Sequence, residues 1–504
     1  MQNNNKARNR NNPSFFVFLT LFLGLGCLSA NTYAELTELF GTFDSNLEER
    51  SAIANQNTYS QLKASGCTDT QRSPILGCTG DTFVAWGSVR ELVHTANEIT
   101  SSGPTLFSLG LDLEGLGFTL RWTAGEEFSA HGNMSDSFIG SQLSGLASRI
   151  SALKYGGSRF SFNEVYDEGV LIALRSLDGK RGGGASADPE YKWSPWGSFL
   201  NFSYIYGDRE PTEQEDAFDF SGTDINGGID YRLSNNHVVG LMVAYQEETL
   251  EFDSSLSIVD GGADMTGYSF QPFYLYQSDQ WYFTTSLGFQ FMSFEMDRSI
   301  RYPSLNPNVG SADTVAVSET DASAVNSSST LGYVLFPNSP FTIEPYFSID
   351  FREISVDGYI EDDIQNEGFN FVVGDQEIES LETAYGLKFQ YVLTPSFGVF
   401  IPYIDIQFRL QHEDDSRDIT AYYFNAEDGL TDKSGAAFTL PTDDPDSSYQ
   451  IITIGLSSVI RGARQSGESN VASGGIQAFF NYRTYQGLDF YQQTQITGGL
   501  RYEF

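Results

Sequence analysis

The sequence predicts an all-β transmembrane barrel of about twelve antiparallel strands, with an α-helical N-terminal region and a helix in the barrel lumen. From Trp193 onward, apolar and polar residues alternate with a period of two in segment after segment. After the first 34 residues, no run of eighteen apolar residues occurs, which argues against transmembrane helices. Strands with one apolar and one polar face suit a closed sheet that has lipid outside and water inside.

Each alternating segment is long enough for a tilted crossing of a bilayer. The last segment ends the chain with Leu500, Tyr502 and Phe504 on its apolar face, and we predict that these three residues form the barrel-assembly signal. The predicted strands are 196–206, 224–233, 239–245, 268–276, 281–291, 322–336, 341–356, 380–393, 399–411, 449–459, 472–484 and 493–504.

The connections between these strands alternate between short and long. Tight turns are predicted at 234–237, 278–280, 337–340 and 394–396, and longer polar loops at 208–216, 253–263, 297–320, 358–379 and 413–447. Outer-membrane barrels have short periplasmic turns and longer exterior loops. We therefore predict an integral protein of a Gram-negative outer membrane, with lipid around the barrel. An even number of strands places the first and the last residue of the barrel domain on the periplasmic side.

Charged residues of both signs occur on the inward face of the predicted strands. A lumen lined in this way is filled with water or with a polar plug. The predicted lumen-facing residues are Asp230, Arg232, Asp350, Arg352, Arg409 and Arg501.

The first 34 residues have the pattern of a secretory signal peptide, with a basic start, an apolar run and a small-residue cleavage site at Thr32-Tyr33-Ala34. Cleavage there starts the mature chain near Glu35. Cys27 is the alternative, as the acylated cysteine of a lipoprotein, although Gly24 stands where such sites favour leucine.

Composition restricts the partners. The net charge of −38, from 28 basic and 66 acidic residues, argues against nucleic acid, because phosphate binding needs the opposite sign. Export places Cys67 and Cys78 in an oxidising compartment, where we predict a disulfide rather than a metal site.

Two long loops carry many carboxylates. We interpret these as solubilising rather than as cation ligands, since they lack regular ligand spacing; they include Glu361, Asp362, Asp363, Glu367, Asp414, Asp415, Asp443, Asp444 and Asp446.

Residues 35–136 are predicted to form a small helical region. Apolar residues at helical spacing predict one helix around residues 89–99, and Thr123-Ala124-Gly125-Glu126 has the form of a capping box that opens another.

Residues 137–190 are predicted to form a linker helix followed by a Gly-rich linker. The helix, up to Tyr155, is narrow because most of its residues are small. About twenty helical residues reach roughly 30 Å, the height of a bilayer core, so this helix has the length to cross a barrel lumen. The alternative is an ordinary surface helix. Its apolar stripe is Leu143, Leu146, Ile150 and Leu153, and Arg149 and Lys154 are candidates to pair with luminal carboxylates.

No nucleophile elbow or zinc-hydrolase motif occurs, and the four histidines are scattered. We therefore predict no catalytic residues, no metal site and no cofactor. His412 and Asp415 are the remaining acid–base candidates, which we interpret as the start of a solvated loop.

Several motifs in order resemble the autotransporter β-domain of type V secretion. They include Trp196-Gly197, Gly207-Asp208-Arg209, Pro345-Tyr346, Asp357-Gly358-Tyr359, Asp444-Pro445-Asp446 and the final Gly499-Leu500-Arg501-Tyr502-Glu503-Phe504. The resemblance implies a twelve-stranded barrel, at residues 191–504, that the outer-membrane insertion machinery assembles through its last strand. It also implies a linker helix in the pore, which corresponds to Gln142–Tyr155.

Family members that cleave their chain inside the pore have an Asn-Asn pair on this helix, and this chain has Ser144-Gly145, so we do not expect self-cleavage. We expect a monomer that meets periplasmic chaperones on its way to the membrane. The resemblance implies that the barrel translocates or displays a short N-terminal domain at the cell surface. The alternatives are a passive pore or structural barrel with a periplasmic N-terminal region and, third, a barrel-embedded hydrolase.

Overall fold

The computed structural model describes residues 36–155, 192–193, 195–252, 260–278, 280–395, 398–413, 416–461, 464–465, 471–473 and 475–503. The predicted signal peptide, the Gly-rich linker, Asp414, Asp415 and Phe504 lie outside the described residues.

Twelve antiparallel strands form a closed barrel. Each strand pairs with the next along the chain, and β1 pairs with β12, with Leu200 opposite Leu500, which closes the sheet. This confirms the predicted fold class. The strands are β1 (Trp196–Arg209), β2 (Phe218–Arg232), β3 (His237–Phe252), β4 (Gly261–Gln277), β5 (Trp281–Tyr302), β6 (Ala312–Tyr333), β7 (Phe341–Val356), β8 (Gln376–Tyr391), β9 (Val399–Gln411), β10 (Ser448–Arg461), β11 (Gly475–Gln486) and β12 (Tyr491–Glu503).

The two faces of the barrel wall differ in the way that the period-two pattern predicts. Large apolar side chains point outward, where the bilayer surrounds the barrel; they include Leu200, Phe202, Tyr268, Phe291, Tyr385, Ile454, Leu500 and Tyr502. Inward positions are mostly polar, so the polar side chains of the wall are collected in the lumen.

The predicted loop 297–320 is wrong for most of its length. β5 continues to Tyr302 and β6 begins at Ala312, so each has 22 residues and only 303–311 connects them. Thr314, Val315 and Val317 are β-branched, and burial alternates along the segment. These two strands are longer than the 13 residues of β12, so their paired ends extend beyond the neighbouring strands at the loop end.

The loops β7–β8 and β9–β10 also contain structure that the sequence did not predict. Tyr359–Ile360, Phe371–Val373, Asp418–Tyr423 and Phe438–Pro441 pair as a four-stranded antiparallel sheet, which we call the loop sheet. Its strands are short, and short strands leave little periodicity in a sequence.

In the described residues, three α-helices precede the helix of the barrel lumen: α1 (Asn46–Ser65), α2 (Asp81–Ile99) and α3 (Leu113–Trp122). Ser45 caps α1 by accepting from the backbone N–H of Glu48 at 3.3 Å, and Asp112 caps α3 by accepting from Gly115 at 3.0 Å. The helix predicted around residues 89–99 is the second half of α2. The capping-box prediction is wrong, because Thr123 ends α3 and its hydroxyl donates backwards to the Leu120 carbonyl at 3.0 Å.

Residues 36–129, which we call the cap, pack on the loop sheet and on the projecting end of β5. One hydrophobic core contains Leu62 and Trp86 of the cap together with Phe371, Tyr423 and Phe438 of the loop sheet. Cys67 and Cys78 form a disulfide inside the cap, with their Cα atoms 5.0 Å apart. Among the described helices, none has both the length and the apolar character that a bilayer crossing demands.

Candidate functional site: the barrel lumen and its helix

The fourth helix, α4 (Ala130–Tyr155), runs through the barrel lumen from the loop end to the turn end. It begins earlier than the predicted start at residue 137. At the loop end, the ring of His131 lies 5.0 Å from that of Phe294. At the turn end, the Lys154 ammonium pairs with Glu344, and Gln277 Nε2 donates to the Lys154 carbonyl at 3.5 Å.

The helix is attached to the β2 side of the wall by side chains that share one helix face. Gln142 Nε2 donates to Asp224 Oδ2 at 2.8 Å, and Arg149 Nε donates to Asp230 Oδ2 at 2.7 Å. Residues seven apart on a helix lie on one face, and residues six apart on a strand do too, so the two elements align along their length.

Gly145 lies between these two contacts and allows the close approach. A Cβ atom there would lie 2.6 Å from Asn226 Nδ2, so a larger residue would displace the Asn226 side chain. Asn201 Nδ2 reaches the Gly145 carbonyl at 3.4 Å and donates to Asn226 Oδ1 at 2.6 Å. The Ser144-Gly145 pair therefore lies where the helix backbone comes close to the wall.

The apolar stripe of α4 packs on the same half of the barrel. Leu146 and Leu153 are each 3 % exposed and share a cluster with Phe199, Val238, Met242, Phe273 and Leu275, while Ile150 packs against its edge. Leu143 packs against the larger core that reaches into the cap. Polar anchors and apolar contacts thus attach the helix to the wall formed by β1–β4.

On the other side of α4, the lumen contains a cavity of about 690 Å³. Arg352 joins the helix to the wall across it, pairing with Asp136 of α4 and with Glu382 at 2.9 Å. Arg409 pairs with Glu382 at 2.6 Å and with Asp350 at 3.0 Å. The guanidinium groups of Arg352 and Arg409 are thus neutralised by carboxylates.

Of the other predicted lumen-facing residues, Asp230 is the partner of Arg149, and Arg501 donates to the Ser148 carbonyl of α4 at 2.5 Å. Arg232 is half-buried at the turn end of β2.

Leu500 and Tyr502 point outward, 55 % and 41 % exposed. His412 lies at the loop end, with its Nε2 2.8 Å from the Thr383 hydroxyl. Within the described part of the chain, no three His, Cys, Asp or Glu side chains converge as metal ligands.

Sequence reasoning missed the buried charges where the cap meets the lumen. Glu361 and Asp363 were interpreted as solvated loop residues, which is wrong. Glu361 is 2 % exposed and accepts from Arg298 Nε at 3.0 Å and Nη2 at 2.7 Å, and Asp363 is 6 % exposed. The sequence contains one signal of this burial: the mostly apolar residues after Gly368 predict a buried strand a few residues from these carboxylates.

Glu127 is the second buried carboxyl at this junction. Its side chain is fully buried, and neither oxygen has a hydrogen-bond partner among the described residues. Burial raises the pKa of Glu127 to about 8, while Arg298 partly opposes the shift and Asp216 and Glu361 add to it. Because the folded-state pKa lies above the ordinary 4.5, this group contributes stability that is complete below about pH 4.5 and is lost as the pH rises through about 8.

A closed barrel with an apolar outer face, a polar lumen and alternating short turns and long loops defines an integral β-barrel protein of the Gram-negative outer membrane. The autotransporter β-domain model matches residues 198–483, more than half of the chain. The chain therefore belongs to the autotransporter β-domain family.

The chain is also similar to several known proteins. It is 22 % identical over 273 residues to the esterase EstA of Pseudomonas aeruginosa, a match that covers 53 % of this chain and 39 % of that protein. It is 25 % identical over 206 residues to an uncharacterized Pseudomonas putida protein, covering 40 % and 32 %. The chain thus spans less than half the length of these relatives.

Among solved structures, the translocator domain of the autotransporter NalP from Neisseria meningitidis has a TM-score of 0.43 and 12 % identity, with 69 % of this chain and all of that chain covered. The transport unit of the autotransporter AIDA-I from Escherichia coli has a TM-score of 0.36 and 10 % identity, covering 67 % and 98 %.

Proposed function

We propose that the barrel displays the cap at the cell surface and keeps it covalently attached through α4. The observation that carries this proposal is the position of the cap, which packs on the loop sheet. In outer-membrane barrels the long loops face the exterior. The described helix α4 leads from the cap down to the turn end of the barrel, which is also the end at which β1 begins.

The cap is held by specific contacts to the loops as well as by the shared core. Tyr423 of the loop sheet donates to Asn55 Oδ1 of α1 at 2.9 Å, and the Gln61 side-chain carbonyl accepts from the backbone N–H of Asp432 at 2.8 Å. Leu305 N donates to the Leu109 carbonyl at 2.7 Å, which fixes the cap to the β5–β6 loop. These contacts support a cap that completes its fold on the barrel and stays there.

The test is an epitope tag inserted between Leu76 and Gly77, in a turn where Leu76 is fully exposed. The matched control carries the same tag between Asn235 and Asn236, in the exposed β2–β3 turn at the opposite end. On intact cells we expect antibody and protease to reach the first tag and not the second. The reverse pattern would contradict display and would place the cap in the periplasm.

We propose that the insertion machinery recognises the last strand, whose Leu500 and Tyr502 face outward. Deletion of Phe504 is then expected to lower the amount of heat-modifiable barrel in the outer membrane, with more degradation in the periplasm. An unchanged yield would contradict this role. Deletion of Phe40, an exposed aromatic residue of the cap, serves as a matched single-residue deletion outside the barrel.

We also propose that the chain acts by display rather than by catalysis. In the described residues, the histidine ring nitrogens contact backbone groups, Asp69, Tyr274 or Thr383, and none contacts a serine or cysteine side chain. The similarity to EstA makes ester hydrolysis the activity to test. Purified protein is expected to hydrolyse nitrophenyl esters no faster than a His412→Ala variant; activity that this substitution abolishes would contradict the proposal.

A further inference from the structure

We propose that the half of the lumen that α4 leaves open is a water-filled route for small cations from the exterior. This function is separate from display, because it depends on the space beside the helix and not on the location of the cap. Three features carry it: the position of the cavity, the charge of its mouth and the polarity of its walls.

The cavity follows the wall over much of the bilayer height. Ser380 and Lys388, eight residues apart on β8, both line it. That separation is about 26 Å along a strand and about 20 Å of height at a tilt near 40°. Since α4 is fixed to the opposite wall through Asp224 and Asp230, a small rotation of the helix does not fill the space.

The mouth of the cavity at the loop end carries excess negative charge. Arg209 is paired there with Glu215 at 3.5 Å and with Asp443. Six more carboxylates line this end of the cavity without an ion pair to any described cation, against one further cation, Arg417; they are Glu377, Glu379, Glu413, Asp444, Asp446 and Asp489. A cleft lined by one sign of charge raises the local concentration of counter-ions by about 10-fold or more. The mouth therefore favours cations over anions.

The interior offers water partners and little net charge. Arg352 is 5 % exposed, lines the cavity and has an Nε atom without a partner among the described residues, which a water molecule in the cavity can satisfy. Hydroxyl groups cover the adjacent wall at Ser286, Ser328, Thr330 and Ser348. The deeper charges balance in number, so a passing cation meets no large net charge. Five cations (Lys154, Arg352, Lys388, Arg409 and Arg483) line the cavity together with five carboxylates (Asp136, Glu344, Asp350, Glu382 and Asp405).

The test places one thiol inside the cavity. Ser348 lies on the luminal face of β7, 5 % exposed, and the native pair Cys67 and Cys78 is already oxidised. The full-length Ser348→Cys protein, in outer-membrane vesicles, is treated with methanethiosulfonates carrying either a trimethylammonium or a sulfonate group. Rates are normalised to the same reagents acting on a Ser434→Cys protein, in which the thiol lies on the exposed β9–β10 loop at the loop end.

We expect the cationic reagent to modify Ser348→Cys about 10-fold faster than the anionic one after normalisation. Adding Glu413→Gln, Asp444→Asn and Asp489→Asn is expected to bring the two rates to within about 2-fold. The matched control, Glu38→Gln, Glu98→Gln and Glu114→Gln, neutralises three exposed cap carboxylates and is expected to leave the ratio unchanged. No modification by either reagent, equal rates in the parent, or a ratio that survives neutralisation of the mouth would each overturn the proposal. Heat-modifiable mobility verifies that every variant forms the barrel.

Discussion

The ion pair between Arg149 and Asp230 tests whether the lumen helix is fixed to the wall. Both side chains are buried, with Arg149 1 % and Asp230 4 % exposed, and the guanidinium also lies 5.3 Å from the Phe199 ring centroid. Replacing Asp230 by Asn keeps the shape but leaves a buried guanidinium without its counter-charge. Breaking a buried pair in this way costs about 3–5 kcal/mol.

Removing both charges has a different expected outcome. The double variant Arg149→Met, Asp230→Leu places apolar groups of similar size beside Leu146 and Phe199. We expect its free energy of unfolding to lie within about 1–2 kcal/mol of that of the parent, because replacing a buried ion pair by well-packed apolar residues is often neutral. The single variants Asp230→Asn and Arg149→Met complete the comparison.

The assay follows urea unfolding of the purified barrel in detergent by its heat-modifiable gel mobility and yields a free energy of unfolding for each variant. Proteolysis of α4 provides a second readout of the same attachment. A loss below about 0.5 kcal/mol for Asp230→Asn would refute the reasoning, since it would mean that water already solvates the pair. A double variant as unstable as the single one would refute it as well.

Three further predictions concern the cap. Tyr423→Phe leaves the Asn55 side-chain oxygen buried without its donor and is expected to weaken cap docking by about 1–3 kcal/mol. The measurement is the rate at which protease releases the cap, which is expected to rise. Tyr422→Phe, at the adjacent half-buried position, is the control and is expected to have little effect. In the parent, the raised pKa of Glu127 causes the cap to lose stability between pH 6 and pH 9, and Glu127→Gln is expected to remove most of this loss. Thermal unfolding at both pH values checks this, with Glu98→Gln as the control. The same loss of stability in Glu127→Gln and in the parent would contradict it. Cys67→Ser is expected to lower cap stability by about 2–4 kcal/mol without changing barrel mobility on gels, and a loss of the barrel itself would contradict the separation of the two.

The barrel could be predicted from the sequence because a lipid-facing wall imposes a pattern on every strand. Leu200, Tyr268 and Leu500 belong to such patterns, and outward positions have no alternative to an apolar side chain within the bilayer. Above the bilayer this constraint disappears. The segment 312–320 therefore has a polar, loop-like composition, although it continues β6.

The loop sheet and its contact with the cap could not be predicted because they depend on distant parts of the chain. Asn55 and Tyr423 lie 368 residues apart, and neither has a local signal of its partner. Glu361 looks like a solvated loop carboxylate until the fold brings Arg298 to it. Burial of such groups is decided by tertiary packing, which composition and periodicity do not report.

The presence of ion pairs in the lumen could be predicted from the sequence, but the residues that form each pair could not. The sequence predicted luminal carboxylates opposite Arg149 and Lys154, and in the structure the partners are Asp230 and Glu344. Which carboxylate meets which cation depends on the rotation of α4 and on its displacement toward the wall formed by β1–β4. The same displacement creates the cavity beside Arg352, so the cavity also has no signal in the sequence.

The shared core of cap and loop sheet determines how this barrel can be engineered as a carrier. Exchange of residues 36–129 for a foreign cargo would uncover Phe371, Tyr423 and Phe438, three aromatic side chains that are now fully buried. Such a fusion would expose an apolar surface to solvent and to its own cargo. The turn at Leu76 and Gly77 is the better insertion point, because cargo grafted there leaves the cap seated and projects from its outer side.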